Sequence, residues 1–126
     1  MKFLHSMIRV NDIDKSLNFY EEILNMSLKK TKRLDDCTLY YLEDEEGTAQ
    51  IELTYNDEKQ TYELGNGFGH FAFSVNSMDE FTSKLKKFGI DYLYEPFVLD
   101  ATGTKIAFIK DPDGYEIELI EKEIKF

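Results

Sequence analysis

The sequence holds no tryptophan, a single cysteine and few cations, with 15 Lys and Arg against 25 Asp and Glu. One cysteine, Cys37, cannot form an internal disulfide, and the expected setting is a reducing cytoplasm. The formal net charge of -10 opposes nucleic acid and anionic membrane surfaces, both of which reward clustered Lys and Arg. No apolar run approaches the roughly 18 residues of a membrane-spanning helix. The opening residues Met1 to Ser6 lead into no such run either, so no signal peptide is expected there. What is present is core material: 42% apolar residues and 14% aromatics in 126 residues, enough for one compact domain rather than a disordered chain.

The most informative pattern is internal. Leu4-His5-Ser6-Met7-Ile8-Arg9-Val10-Asn11 is echoed by Gly69-His70-Phe71-Ala72-Phe73-Ser74-Val75-Asn76, and a helical pattern follows each. Later, Ile51-Glu52-Leu53-Thr54 is echoed by Ile117-Glu118-Leu119-Ile120. His5 and His70 stand 65 positions apart, Glu52 and Glu118 66. Two echoes at nearly one spacing describe a duplicated unit of about 60 residues. The first repeat is expected over 1–56, a polar, glycine-punctuated linker over 57–68, and the second repeat over 69–126.

Each repeat reads as strand, helix, then two or three strands. Residues 3–10 alternate, with Leu4, Ile8 and Val10 on one face and His5, Met7 and Arg9 on the other. A first helix over 13–24, capped by Asp12, carries Ile13, Leu17, Tyr20, Ile23 and Leu24 on one stripe. A second over 78–88 opens on a capping box, Ser77 with Glu80, and stops at Gly89. Hairpins are expected over 37–43 with 49–55 and over 105–110 with 115–121, the latter around Asp111-Pro112-Asp113-Gly114.

The two histidines are the only ones in the chain, and they occupy one repeat position. Glu52 and Glu118 do the same, each between apolar neighbours that belong on the opposite strand face. Units related by an approximate two-fold can bring such residues together, and two imidazoles with two carboxylates suit a divalent cation such as Ni, Co, Zn, Fe or Mn. Read one at a time, a strand histidine is an ordinary satisfied or surface residue and a strand glutamate a solvated one; the shared spacing favours a metal or acid–base site. Arg9 shares the face of His5, where it either meets an anionic substrate group or closes an internal salt bridge. Gly65-Asn66-Gly67-Phe68-Gly69 leads into a strand rather than a helix, which fails the dinucleotide pattern.

Taken in order along the chain, Leu4–Val10, Ser16–Tyr20, Ile51–Asn56, Tyr62–Gly65, Gly67–His70 and Phe108–Leu119 resemble glyoxalase I (lactoylglutathione lyase) of the vicinal-oxygen-chelate superfamily. The resemblance implies a single glyoxalase-type domain of α+β class, two βαβββ repeats forming a cupped mixed sheet around a metal site. It implies a homodimer with active sites between subunits, and a cytoplasmic enzyme of methylglyoxal detoxification. By match the metal ligands are His5, Glu52, His70 and Glu118, while Arg9 and Asn56 hold the glutamyl end of glutathione. The compact length resembles the branch preferring Ni2+ or Co2+ more than the longer one using Zn2+.

The implied reaction isomerises the hemithioacetal of methylglyoxal and a thiol, giving S-lactoylglutathione when the thiol is glutathione. A cation that polarises the substrate oxygens acidifies the carbon-bound proton, and a carboxylate beside it moves that proton to the next carbon. Glu118 is the expected base, with Glu52 its symmetry-related alternative. Asp100 stands where relatives often carry a lysine, and Asn66 where some carry arginine, so the thiol is glutathione or another of low molecular weight. The alternatives are a coenzyme A-thioester epimerase of the same superfamily and a metal-free module that binds a drug or metabolite.

Overall fold

The computed structural model describes residues 1–122; the last four residues of the second repeat, 123–126, lie outside the described residues. The chain divides at Glu63/Leu64 into two compact units. The first runs β1 (Ser6–Arg9), α1 (Ile13–Asn18), β2 (Ser27–Arg33), β3 (Cys37–Glu43) and β4 (Gln50–Asn56). The second runs β5 (His70–Val75), α2 (Met78–Phe88), β6 (Tyr94–Val98), β7 (Lys105–Lys110) and β8 (Glu116–Glu121). Each unit is therefore βαβββ, and each forms a four-stranded mixed sheet, in the orders β1-β4-β3-β2 and β5-β8-β7-β6. This is the α+β class expected from the sequence.

In both sheets the first strand pairs parallel with the last, while the other neighbours are antiparallel. The helical crossover after the first strand makes that parallel pairing possible. Register places Met7 opposite Glu52 and Ala72 opposite Glu118. His5 and His70 each lie two residues before those positions, so each histidine shares a sheet face with its glutamate.

The cores form on the opposite faces. In the first unit Ile8, Val10, Leu42, Ile51 and Leu53 are buried with Tyr20 and Ile23 of the helical segment. In the second, Ile109, Ile117 and Leu119 are buried with Met78, Phe81 and Leu85 of α2. Leu4 departs from the alternation expected of it: it precedes β1 and is exposed.

The helix ends follow from their residues. The Asp12 side chain accepts from the Lys15 backbone N–H at 3.1 Å, capping α1. Ser77 Oγ accepts from Glu80 N–H at 3.2 Å, and Glu121 Oε2 accepts from Met78 N–H at 2.7 Å. Two orphan donors of α2 are satisfied in this way. Gly89, at φ +70°, turns the chain out of α2 in the left-handed conformation. The first helix differs from its expected single run over 13–24. After Asn18 it widens into a π turn over Phe19–Ile23, which buries Phe19, Tyr20 and Ile23 together.

Two strands were not resolved by alternation in the sequence. In β2, Ser-Leu-Lys-Lys-Thr-Lys-Arg is exposed throughout, and β6 contains Pro96. Both lie at the edge of their sheets, where lysines and proline discourage pairing with another chain.

Candidate metal centre

His5 stands just before β1 and Glu52 in the middle of β4, and their Nε2 and Oε1 atoms are 3.4 Å apart. In the second unit the same atoms of His70 and Glu118 are 3.3 Å apart. The glutamates are the more buried members, with side chains 10% and 15% exposed against 31% and 41% for the histidines. The sequence duplication thus becomes a duplicated geometry, one imidazole and one carboxylate on the same face of each sheet.

The spacing suits a shared cation. Two donors bound at about 2.1 Å lie roughly 3.0 Å apart at a right angle and roughly 3.4 Å apart at a tetrahedral angle. An imidazole nitrogen and a carboxylate oxygen are the donor types that Ni, Co and Zn accept. Among the described residues no group of three or more His, Cys, Asp and Glu gathers, so each unit by itself brings two donors.

The surroundings of the two pairs differ. Glu52 accepts from Thr54 Oγ1 at 2.7 Å on its Oε2 atom, and Tyr41 stands in register opposite it on β3. The neighbouring Glu52 carboxylate, and then burial, push the Tyr41 phenol above its ordinary range. The Tyr41 ring also meets the His5 ring edge-on at 5.4 Å, and Lys30 Nζ sits 5.7 Å from the same ring. In the second unit Phe108 meets His70 edge-on at 5.3 Å, and Phe108 is the register partner of Glu118 as Tyr41 is of Glu52. Tyr41, Thr54 and Phe108 were not among the residues singled out from the sequence. The signal for Tyr41 is its strand register opposite Glu52, which the sequence echo does not reach.

Arg9 and Asn56 continue the rows that carry the first pair. Arg9 lies two residues beyond Met7 on β1, exposed and in register with Thr54. Asn56 lies four residues beyond Glu52 on β4 and donates from Nδ2 to the Tyr62 hydroxyl at 2.8 Å. In the second unit the positions two beyond Ala72 and four beyond Glu118 hold Ser74 and Lys122 instead. Asp100 sits in the β6–β7 turn, where its Oδ1 atom accepts from the Thr102 N–H at 2.9 Å and from the Thr102 hydroxyl. It is occupied with shaping that turn.

Two βαβββ units, each presenting a histidine and a glutamate from one sheet face, define a duplicated α+β scaffold. The chain belongs to the Glyoxalase/Bleomycin resistance protein/Dioxygenase superfamily, whose family model matches residues 2–119. A probable lactoylglutathione lyase of Synechocystis is 44% identical over 129 residues, covering 99% of this chain and 98% of that protein. The lactoylglutathione lyase of Escherichia coli O157:H7 is 40% identical, covering 98% of this chain and 94% of that protein. Among solved structures, glyoxalase I from Zea mays superposes with a TM-score of 0.86 at 33% identity. That match covers 97% of this chain but 45% of the maize chain, so this chain spans less than half the maize protein's length. The trypanothione-dependent glyoxalase I of Leishmania major superposes with a TM-score of 0.80 at 35% identity, covering 96% and 86% of the two chains.

Proposed function

We propose that this chain is a metal-dependent glyoxalase I, a carbon–sulfur lyase that converts the hemithioacetal of methylglyoxal and glutathione into S-lactoylglutathione. The observation that carries the reading is the repeated His–Glu pair, at 3.4 and 3.3 Å, in a chain about 40% identical to lactoylglutathione lyases along nearly its whole length. His5, Glu52, His70 and Glu118 are the ligands of one divalent cation, with Ni2+ or Co2+ preferred and Zn2+ a further possibility. Each unit by itself supplies two donors, so a four-donor site joins two units. The reading makes that a homodimer whose sites lie between subunits, each taking the first unit of one chain and the second of the other. The two repeats work as one glyoxalase-type domain.

When bound, the cation acts as a Lewis acid that polarises the two vicinal oxygens of the hemithioacetal and acidifies the proton on the sulfur-bearing carbon. Glu118 takes that proton and delivers it to the neighbouring carbon, which turns the hemithioacetal into a thioester without net gain or loss of atoms. Glu118 suits the task better than Glu52. Among the described residues its one polar side-chain partner is His70, whereas Glu52 is held by Thr54 as well as His5. Arg9 pairs with the α-carboxylate at the glutamyl end of the thiol, and Asn56, oriented by Tyr62, hydrogen-bonds the same end.

With a net charge of -10 the protein as a whole does not draw in an anionic thiol, so binding rests on Arg9 and the cation. A cytoplasmic setting fits a reduced low-molecular-weight thiol and the free, buried Cys37. No helix among the described residues is long and apolar enough to cross a membrane. The test is turnover of methylglyoxal hemithioacetals made with glutathione and with other small thiols, in protein loaded with nickel, cobalt or zinc. Turnover with at least one thiol and metal supports the reading. Activity confined to coenzyme A thioesters replaces it with an epimerase, and binding without turnover or metal replaces it with a sequestering module.

A further inference from the structure

The two sheet faces carry matching rows of side chains, and the rows part at their outer member. In the first unit, register runs Met7, Glu52, Tyr41, Lys30 across β1, β4, β3 and β2. In the second it runs Ala72, Glu118, Phe108, Tyr94 across β5, β8, β7 and β6. Both rows keep an aromatic ring edge-on to the histidine, at 5.4 Å and 5.3 Å. Outside that ring the second unit packs another ring, Tyr94 on Phe108 at 5.6 Å. The first unit places an ammonium there, with Lys30 Nζ 5.7 Å from the centre of the Tyr41 ring.

This ammonium belongs to a concentration of positive charge. In a protein of net charge -10, β2 holds Lys29, Lys30, Lys32 and Arg33, four of the 15 cations, and no acidic residue. Arg33 falls on the opposite sheet face and is committed to Asp57 and Thr38 Oγ1. Lys30 and Lys32 fall on the Glu52 face, Lys32 in the row of Leu39, Thr54 and Arg9. Among the described residues neither lysine makes an ion pair. Edge lysines discourage pairing with another chain, and a side chain reaching away from the sheet would do that equally well. Lys30 instead lies over the ring that meets His5.

The shape of the hemithioacetal decides what reaches this ammonium. One of its two vicinal carbons carries the thiol sulfur and the other the side group of the 2-oxoaldehyde. With both oxygens turned to a cation, sulfur and side group leave in opposite directions. Arg9 and Asn56 lie further along β1 and β4 and take the thiol, whereas Lys30 lies across β3, two strand spacings or about 10 Å from Glu52. We propose that Lys30 is a specificity residue for the aldehyde's side group, so that the site takes 2-oxoaldehydes bearing a carboxylate or another anionic group as well as methylglyoxal. This rests on the metal-dependent reading above and deepens it by naming a substrate class. The side group takes no part in the bond changes, and the proton moves between the same two carbons. An ammonium laid over an aromatic face keeps its charge and N–H donors for such an anion.

The test compares the glutathione hemithioacetals of phenylglyoxal and para-carboxyphenylglyoxal, aldehydes of similar shape that differ by one terminal charge. kcat and KM are read for both, at low and high salt, in the cobalt-loaded full chain and in Lys30→Met. In the unmodified protein the carboxylated aldehyde is expected to show a kcat/KM about fivefold higher, expressed in KM, the scale of a partly exposed ion pair. That advantage is expected to shrink as salt rises. Lys30→Met is expected to remove it while phenylglyoxal changes little. No preference in the unmodified protein, or a Lys30→Met loss equal for the two aldehydes, overturns the inference while the functional reading stands; an equal loss assigns the ammonium to the thiol. Cobalt-loaded protein that turns over neither these aldehydes nor methylglyoxal overturns the functional reading itself. If Lys30→Met does not fold, Lys30→Gln takes its place under the same outcomes.

Discussion

Thr54 Oγ1 donates to Glu52 Oε2 across 2.7 Å, inside a sheet face where both residues are buried. The hydroxyl consumes one oxygen of the carboxylate and leaves the other, Oε1, directed at His5 Nε2. Glu118 has Ile120 in the corresponding place. Two carboxylates at one position of the repeat are therefore chemically unlike.

The first prediction concerns the base. Glu118→Gln keeps the size and one oxygen of the side chain but cannot carry the proton. It is expected to lower kcat by about 100-fold or more, the usual worth of a positioned acid–base group, while much of the metal stays bound. Metal content and turnover measured on one preparation check this, and near-normal turnover contradicts it.

Removing a donor acts differently. His5→Ala and His70→Ala each leave one carboxylate without the imidazole 3.3–3.4 Å away. Each is expected to weaken cobalt or nickel binding by more than the 10–100-fold or so that outer hydrogen-bond partners are worth. The loss in activity is expected to recover partly at high metal concentration, which a titration of turnover against metal reads directly.

How far the site could be read from sequence depended on what the duplication preserved. His5/His70 and Glu52/Glu118 sit in echoed segments, so their equivalence was visible before any fold. Tyr41 and Phe108 sit in strands whose sequences, Cys-Thr-Leu-Tyr-Tyr-Leu-Glu and Lys-Ile-Ala-Phe-Ile-Lys, share almost nothing. Their equivalence exists only through pairing register, which a linear reading does not contain. The second helix was legible end to end because Ser77 and Gly89 mark its limits chemically. The π turn over Phe19–Ile23 was not, since its apolar spacing also fits a plain helix and packing decides between them. The edge strands β2 and β6 escaped notice for the reason that protects them: an edge rich in lysine or broken by proline carries no alternating signal.

Stability predictions follow from the core and the caps. Leu53 is fully buried on the face of β4 opposite Glu52, and Leu53→Ala is expected to cost about 2–5 kcal/mol in urea unfolding. Gly89→Ala meets no steric obstacle, since nothing lies within 4 Å of an added Cβ. Its cost is the left-handed backbone at φ +70°, about 1 kcal/mol. A larger loss at Gly89 than at Leu53 contradicts this division.

Three turn carboxylates contribute to stability toward acid. The Arg33 guanidinium holds the Asp57 carboxyl below its usual range, and the Thr102 hydroxyl and N–H do the same for Asp100. At Asp44 burial pushes upward, but the Ala49 and Thr48 hydrogen bonds outweigh it and the carboxyl is again lowered. Groups whose folded values lie below their unfolded ones stabilise the protein above the ordinary Asp range, about pH 3.9, and that stability is lost as pH falls through the folded values. Urea midpoints are therefore expected to fall on acidification below about pH 4, and Asp57→Asn to reduce the slope.

The most direct measurement takes protein purified without chelator, determines its metal content, and follows the methylglyoxal–glutathione hemithioacetal before and after the metal is stripped and restored. The account predicts turnover that disappears on stripping and returns with nickel or cobalt, at one metal for each set of two histidines and two glutamates. Turnover that survives complete metal removal, or its absence with every metal and thiol supplied, contradicts it.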